Sequence, residues 1–240
     1  MKILNLYAGI GGNRKLWGEE HEVTAVEINP EIAKIYMKLF PKDKMVVGDA
    51  HQFLLEHLNE FDFIWSSPPC PSHSRINTDG NNKARYPEMS LYQQILMLSN
   101  NWFKGKWVVE NVIPYYKPLV RPSAEIDRHL FWSNFNLDKL KVKKEKPIAF
   151  QTGTNGRYGF NLKGVQIKHD KRQILRNLVN PELGLHVLKM AFKDKQHTLN
   201  LPKTNVKKKT RGKTKRYSID YGKVNKHTDN ISKASVEESQ

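Results

Sequence analysis

The chain has 240 residues, of which 38% are hydrophobic, so it can bury one core with a small appendage. Its one cysteine excludes an internal disulfide and a multi-cysteine metal site, and no apolar run reaches the roughly 20 residues that span a bilayer; both points favour a cytoplasmic protein without a metal. The formal net charge of +16 favours a polyanionic partner, and nucleic acid is a better match than a membrane surface.

The hydrophobic pattern predicts strands that alternate with helices. Six apolar runs have strand length, and in chain order they are KILNLY, EVTAVEI, KMVVGDA, FDFIWSS, KWVVENV and RHLFWSNF. The helix-like segments are RKLWGEE, NPEIAKIYMKLFP, AHQFLLEHL, LYQQILMLSNNWF and PELGLHVLKMAF, and one face of the second carries Ile32, Ile35, Tyr36 and Leu39. The alternation predicts a doubly wound α/β fold with a parallel sheet, helices on both faces, and ligands beyond the carboxyl ends of the strands.

Composition divides the chain into three regions. Residues 1–135 and 173–192 carry the strand and helix pattern of one domain, whereas 136–172 are polar and contain glycines, which predicts a loop or mini-hairpin. Residues 193–240 show no clear apolar periodicity and predict a flexible tail. Within this tail, 203–216 hold eight Lys or Arg and no Asp or Glu, which favours contact with phosphates over a tail that only aids solubility.

Polar motifs follow the first three strands. The glycine turn YAGIGG, residues 7–12, lets the backbone approach a ligand closely, and Glu27 and Asp49 end the next two strands. Acids in such places bind ribose hydroxyls, although a glycine turn is often only structural and Glu27 alone could be a surface acid. The turn lacks the lysine of a phosphate-cradling loop and the further glycine of an NAD site, so these features favour an adenine nucleoside.

The single cysteine lies in a rigid turn. Cys70 follows the fourth strand in SSPPCPSHSR, where prolines on both sides restrict the backbone. Most lone cysteines are small buried hydrophobes, but a rigid loop at a strand end also mounts a nucleophile, and Arg75 or Arg128 would favour its thiolate. Ser72 and His73 resemble members of a catalytic triad, although His73 fits a surface residue at least as well.

The fifth strand ends in an acid and an amide. Glu110 and Asn111 lie in VVENV, residues 108–112, after apolar residues. A strand-end acid is often a helix cap or a surface charge. In an apolar surround, however, the pKa of a carboxyl rises, so that the group can hold or donate a proton near neutral pH.

Together these segments resemble the cytosine-C5 DNA methyltransferase family, in a compact version. The resemblance rests on NLYAGIGG, the acid of AVEINP, GDA, SPPC, ENV, RHLFWSNF and RNLVNPELG, which occur in the family's order. It implies a Rossmann-like fold that uses S-adenosylmethionine. By this resemblance the cofactor-binding residues are Tyr7, Ala8, Gly9, Ile10, Gly11, Gly12, Glu27, Ile28, Asp49, Ala50, Pro69, Leu91, Asn177 and Leu178.

The resemblance also implies a reaction. Cys70 would attack C6 of a cytosine while Glu110 hydrogen-bonds or protonates N3, and C5 would take the methyl group before its proton and Cys70 leave. Arg128 would bind the base or steady the loop. Because C6 is poorly accessible in a duplex, the base must flip out of the stack. The residues that would contact the flipped base are Pro69, Ser72, Asn111 and Val112.

The implied partner is double-stranded DNA, bound by a monomer in the cytoplasm of a bacterial or phage-infected cell, as in restriction-modification; no protein partner is evident.

The sequence departs from the family pattern in three places. Pro71 stands where the family usually has Gln, and Arg128 has Ile126 instead of a second arginine before it. Only 136–172 occupy the place of a target-recognition domain, which predicts short, degenerate sequence recognition with affinity supplied by the tail.

Three alternative functions stay open. SSPPC also resembles the Ser-Pro-Pro-aromatic loop of amino-methyltransferases, although Cys70 cannot stack on a flipped base. RNA is a second possible substrate, because a tRNA-methylating branch of the family shares the Pro-Pro-Cys loop. A non-catalytic nucleic-acid-binding protein fits Pro71 and the short insertion, but intact Cys70 and Glu110 argue against it.

Overall fold

A seven-stranded, mostly parallel sheet forms the core of the protein. The computed structural model describes residues 1–75, 86–142 and 156–193. The strands of the sheet are β1 (Lys2–Leu6), β2 (Glu22–Glu27), β3 (Lys44–Val47), β4 (Phe63–Ser66), β5 (Lys106–Val112), β6 (Ala124–Ile126) and β7 (His129–Ser133). They lie in the order β3-β2-β1-β4-β5-β7-β6, in which β1 to β5 pair in parallel and β7 runs antiparallel to β5 and β6. The predicted α/β fold is confirmed.

Helices pack against both faces of the sheet, because successive strand residues point to opposite sides. The helices are α1 (Pro30–Leu39), α2 (Ala50–His57), α3 (Ser90–Ser99), α4 (Lys171–Arg176) and α5 (Pro181–Ala191). In β4, Ile64 belongs to a buried cluster with residues of α2 and α3, whereas Phe63 and Trp65 belong to a cluster with residues of α5. Every residue of β4 is buried, as expected of a central parallel strand.

The structure differs from the prediction at the sixth strand. The run RHLFWSNF forms β7, but β7 is antiparallel and pairs with an additional strand, β6. A two-residue turn, Asp127 and Arg128, joins them, and Asp127 takes a positive φ of 57°. The sequence gives no signal for β6 because three residues are too few to show an alternating pattern.

Two helix predictions are wrong in extent. RKLWGEE forms only a 3-10 helix over Asn13–Leu16. The apolar pattern after Ser90 continues to Phe103, but α3 ends at Ser99. Asn101 has φ 61°, a left-handed conformation through which a right-handed helix does not continue.

The buried face of α1 is also partly different from the prediction. Ile35 and Tyr36 are buried, but Leu39 is 44% exposed. Phe40, one residue beyond the helix, packs on Tyr36 with ring centroids 4.8 Å apart. Phe40 therefore covers the region that the helical spacing assigned to Leu39.

The described part of 136–172 contains a small hairpin, formed by β8 (Gly156–Arg157) and β9 (Phe160–Asn161). Phe160 shares a buried cluster with Ile10 of the glycine turn. The Lys15 ammonium lies 4.5 Å from the centroid of the Phe160 ring and donates to the backbone oxygen of Tyr158. The hairpin thus packs on the segment that follows β1.

Of the predicted tail, 193–240, only Lys193 lies within the described residues. Those residues contain no helix that is long and apolar enough to cross a membrane. The same ranges hold no group of three or more His, Cys, Asp or Glu side chains placed to bind a metal ion.

A glycine in α5 lets this helix approach the residues after the glycine turn. A Cβ at Gly184 would lie 2.2 Å from the backbone oxygen of Asn13, so a side chain there forces the helix or the turn to move. We expect Gly184→Ala to lower the free energy of unfolding by about 2 kcal/mol, even after the roughly 1 kcal/mol that alanine gains in helix propensity. Urea unfolding measures this change.

Gly48→Ala is the matched control. A Cβ at Gly48 would meet no atom within 4 Å, so its free energy of unfolding should change by less than about 0.5 kcal/mol. Equal unfolding midpoints for the two variants would contradict the close contact between Gly184 and Asn13.

Candidate active site

Three polar segments leave the same edge of the sheet because their strands are parallel and in register. Leu6 of β1 pairs with Ser66 of β4, and Ser66 pairs with Val109 of β5. The glycine turn, the Cys70 loop and Glu110 therefore follow three adjacent strand positions. This edge is also where the strand order reverses, between β1 and β4, which is the usual ligand crevice of such sheets.

The glycine turn has an unusual backbone and is tied to β2. Tyr7, Gly9 and Gly11 have φ of 56°, 54° and 82°. One carboxylate oxygen of Glu27 accepts the N–H of Gly9 at 2.9 Å, and the other accepts the N–H of Asn29 at 2.9 Å. Glu27 is thus fixed at the end of β2, directly beside the turn.

Backbone and side-chain hydrogen bonds hold the Cys70 loop. The backbone oxygen of Cys70 accepts the N–H of His73 and of Ser74, each at 3.0 Å. The Asn111 amide donates to the backbone oxygen of Pro68 at 3.0 Å. The loop is therefore anchored on itself and on the end of β5.

His73 is a buried anchor of this loop. Its side chain is 1% exposed, so the surface location considered for it is wrong. Nδ1 of His73 lies 2.5 Å from the Tyr116 hydroxyl, and its backbone oxygen accepts the N–H of Tyr115. The ring therefore pairs with a tyrosine after β5, and nothing in the sequence spacing predicts that partner.

Glu110 is a buried acid with a raised pKa. The Ser67 hydroxyl donates to one of its oxygens at 2.7 Å and itself accepts from the Trp65 indole at 2.8 Å. Nε2 of His129 lies 3.5 Å from the other oxygen. Burial raises the pKa of Glu110 to about 7, against the lowering effects of Ser67 and Arg128. Near neutral pH this carboxyl can therefore either hold or release a proton.

The electrostatics of Cys70 differ from the sequence expectation. Burial and then the Glu110 carboxylate raise the pKa of the Cys70 thiol, and together they outweigh the lowering effect of Arg128. Arg128 therefore favours the thiolate, as expected, but the net effect keeps the thiol as the favoured form. The Arg75 Nε atom instead donates to the backbone oxygen of Pro114 at 3.3 Å.

Comparison with known proteins identifies this arrangement. Residues 1–112, which contain the glycine turn, Cys70 and Glu110, match the sequence model of the C-5 cytosine-specific DNA methylase family. Residues 1–112 belong to the cytosine-C5 methyltransferase family. The resemblance found in the sequence is confirmed.

Individual relatives match over shorter stretches. A tRNA (cytosine(38)-C(5))-methyltransferase of Rattus norvegicus is 29% identical over 98 residues, which are 38% of this chain and 25% of the relative. The enzyme of that name from Spodoptera frugiperda is 34% identical over 80 residues, 31% of this chain and 24% of the relative. A crystal structure of a Spodoptera frugiperda DNMT2 mutant is 30% identical with a TM-score of 0.33, covering 46% of this chain and 35% of that one. The chain spans about a quarter of the length of these curated relatives.

S-adenosylmethionine is the methyl donor of this family, as predicted, and the cofactor-side residues fit it. A Cβ at Gly9 or Gly48 would meet no atom within 4 Å, so the backbone there faces open space. The Glu27 carboxylate would hold ribose hydroxyls, and Ile28 beside it is 67% exposed, an apolar surface suited to adenine. When bound, the cofactor supplies an activated methyl group on a sulfonium.

The C-terminal part of the predicted cofactor set closes on the glycine turn. A Cβ at Gly12 would lie 2.6 Å from the backbone oxygen of Val179 and 2.9 Å from the Leu178 side chain. Asn177 is exposed at the C-terminal end of α4, and Leu178 is buried. The segment RNLVNPELG thus packs against the glycine turn of NLYAGIGG.

Several predicted cofactor residues also have structural roles. An oxygen of Asp49 accepts the N–H of Gln52 and caps α2, although Asp49 is exposed at the end of β3. The Tyr7 hydroxyl accepts from the Gln94 amide at 2.5 Å, and burial raises the pKa of Tyr7 to about 12. Besides Glu27 and Leu178, the buried members of the set, which can offer only backbone or a pocket wall, are Ala8, Ile10, Gly11, Gly12, Ala50 and Leu91.

The residues predicted to contact the flipped base also differ in their exposure and in their hydrogen bonds to the rest of the protein. Pro69 is exposed, and the Ser72 hydroxyl accepts the N–H of Glu88 at 3.0 Å. Asn111 is buried, and its side-chain oxygen accepts the N–H of Val112. Its side-chain NH2 group donates to the backbone oxygen of Pro68 in the Cys70 loop. Arg128 is exposed and donates to the backbone oxygen of Arg176 at 2.7 Å.

The pH dependence of stability provides a test of the buried acid. Because the pKa of Glu110 rises from 4.5 to about 7 on folding, the folded state keeps a proton that the unfolded state releases in this window. The resulting stabilisation is fully present below pH 4.5 and is lost as the pH rises through 7. At about 1.4 kcal/mol per pKa unit, the loss is on the order of 3 kcal/mol.

Glu110→Gln removes this titration. The free energy of unfolding of the variant, minus that of the wild type, should therefore increase by this amount between pH 4.5 and 8, as measured by urea unfolding. His129 titrates in both proteins, so its contribution largely cancels in the difference. The exposed Glu125→Gln is the control and should show no such trend. A flat profile for both variants would contradict the raised pKa.

Proposed function

We propose that the protein is a cytosine-C5 methyltransferase that acts on a flipped cytosine in DNA, through a covalent bond from Cys70 to C6. The observation that carries this proposal is the arrangement of Cys70 and the proton-holding Glu110 on neighbouring strands, next to the glycine turn. The family match supports the reaction class, which is cytosine-C5 methylation. That the substrate is DNA and not RNA is the part that we propose beyond this match.

Each residue has one role in the proposed reaction. The Cys70 thiolate adds to C6 while Glu110 gives its proton to N3, which turns the ring into an enamine. The electron pair at C5 then takes the methyl group from the donor's sulfonium. Loss of the C5 proton to a base, with elimination of the Cys70 sulfur from C6, gives 5-methylcytosine.

The structure supports a second effect of the Glu110 proton. The Glu110 carboxylate is one of the groups that raise the pKa of the Cys70 thiol. Protonation of Glu110 removes that negative charge, so the thiolate becomes easier to form when the proton donor is loaded. Arg128 acts in the same direction. The acid and the nucleophile are thus coupled, and both become active in the same protonation state.

DNA is favoured by the family description and by the chain's net charge, whereas the curated relatives support RNA as a second candidate. The relatives are tRNA (cytosine(38)-C(5))-methyltransferases by name, but each match covers only about a quarter of the relative. A positive charge of +16 suits either polyanion. The substrate must therefore be tested directly, with both nucleic acids.

A covalent trap tests both chemistry and substrate. We expect a stable adduct when the protein and S-adenosylmethionine meet DNA that contains 5-fluorocytosine, because fluorine at C5 cannot leave as the proton does. Cys70→Ala should abolish the adduct, as seen on a denaturing gel. An adduct on RNA of matched sequence and none on DNA would overturn the DNA proposal. The absence of an adduct on either would reject the enzyme and favour a non-catalytic binder.

We expect the basic tail to supply non-specific affinity for DNA. We also expect the protein to be cytoplasmic. Residues 203–216 hold eight cations, and each phosphate neutralised adds about 0.9 to the slope of log affinity against log salt. Deleting 195–240 should weaken DNA binding at least about 10-fold and flatten this slope, measured by fluorescence anisotropy. Deleting only 217–240 keeps the cationic run and is the control. Unchanged affinity and slope after the longer deletion would exclude this role.

Sequence recognition should be short and degenerate. Only 136–172 occupy the place of a target-recognition domain, and the hairpin in their described part packs on the glycine turn through Phe160. Bisulfite reading of a random-sequence DNA library after methylation measures the preference. A single long defined site would contradict the proposal.

A further inference from the structure

Two arginines from different parts of the chain converge on one backbone oxygen beside the candidate active site. Arg128 lies in the turn between β6 and β7, and Arg157 ends β8. Nη2 of Arg128 lies 2.7 Å, and Nη1 of Arg157 3.4 Å, from the backbone oxygen of Arg176. The two nitrogens can therefore be no farther apart than the sum of these distances. Two like charges are held together at the end of α4.

Among the described residues, no carboxylate neutralises either guanidinium. Within the described ranges, no Asp or Glu oxygen lies within 4 Å of Arg128 or Arg157. Arg176, whose oxygen they share, is itself an exposed cation. A neutral carbonyl offsets little of this charge, so the site lacks an anion that would balance it.

The pair still has hydrogen-bond donors to offer. Each guanidinium carries five N–H groups. Arg157 uses Nη1 on the oxygens of Leu175 and Arg176 and Nη2 on the Tyr158 hydroxyl, while its Nε is buried without an acceptor. The Tyr158 ring also supports it, with the guanidinium carbon 4.7 Å from the ring centroid. Arg157 is thus held in a fixed orientation, and its buried Nε does not face a ligand. The exposed Arg128 donates from Nη2 to the Arg176 oxygen, and its other N–H groups make no further hydrogen bond to the described residues.

The pair lies close enough to the reacting groups to influence them. The charges of Arg128 and Arg157 contribute, after burial, to lowering the pKa of His129 to about 3. His129 in turn lies 3.5 Å from Glu110. Arg128 also lowers the pKa of the Cys70 thiol. The charges of the two arginines are therefore felt at His129, next to Glu110, and that of Arg128 also at Cys70.

We propose that Arg128 and Arg157 together bind a phosphodiester group of the nucleic-acid strand, next to the cytosine that is flipped. Guanidinium forks match the oxygens of a phosphate, and two of them form a cradle that a single arginine does not. Arg157, carried by the hairpin β8–β9, thereby supplies a second cation where the sequence around Arg128 has Ile126. The proposal rests on the proposed function for the flipped base, but strand binding can be measured without methylation.

Arg157→Gln is the main test, with a cytosine-rich DNA duplex as the probe. We expect the dissociation constant to rise about 10-fold and the salt slope to fall by about 1, because one phosphate contact is lost. Arg157→Lys should lie between Gln and the wild type, since lysine keeps the charge and loses the fork. The exposed Lys163→Gln, a loss of one charge in the same segment, should change the constant less than about twofold.

The affinity for S-adenosylmethionine separates this role from a structural one. If Arg157 only holds the end of α4, its loss should disturb Asn177 and Leu178 and weaken cofactor binding in calorimetry, with DNA binding unchanged. That result would overturn the proposal, and so would DNA affinity no weaker than that of Lys163→Gln. If Arg157→Gln fails to fold, Arg157→Lys decides by the same two measurements. Failure of the proposed function would show separately, as the absence of a 5-fluorocytosine adduct with wild-type protein.

Discussion

The burial of the Glu110 carboxyl is the constraint on which the rest of the site depends. An acid enclosed at the end of a central strand stays charged only at a cost, so its pKa moves to about 7 and its proton becomes usable. The Ser67 hydroxyl donates to one of its oxygens, and His129 lies 3.5 Å from the other. The same carboxyl acts on Cys70, because its negative charge opposes the thiolate. The raised pKa of Glu110 and its effect on the pKa of Cys70 therefore share one cause.

The register of the sheet places Glu110 in this buried position. Because Leu6, Ser66 and Val109 lie side by side in β1, β4 and β5, the segments that follow them meet without long loops. The Cys70 loop then needs only short anchors, which are the Asn111 amide and the His73 ring with its tyrosine. The candidate catalytic residues are thus held at rigid strand ends by short local contacts.

Much of this could be predicted from the sequence, because parallel strands are buried on both faces and read as continuous apolar runs. Cys70 and Glu110 stand out for the same reason, as polar residues at the ends of such runs. The direction of β7 and the presence of β6 could not be predicted, since three residues carry no periodicity. The burial of His73 and the exposure of Leu39 depend on Tyr116 and Phe40, aromatic partners that local spacing does not identify.

Arg128 shows most clearly what the sequence leaves open. Its position after β6 suggested contact with the base, yet its donor reaches the oxygen of Arg176, far along the chain. Arg157 reaches the same oxygen from a hairpin that the pattern presented only as a short polar insertion. Leu178 lies two residues after Arg176 and packs close to Gly12, so the end of α4 lies between the two arginines and the glycine turn. The hairpin of the short insertion packs on the glycine turn through Phe160, and its Arg157 meets Arg128 at a point that residue spacing does not reveal.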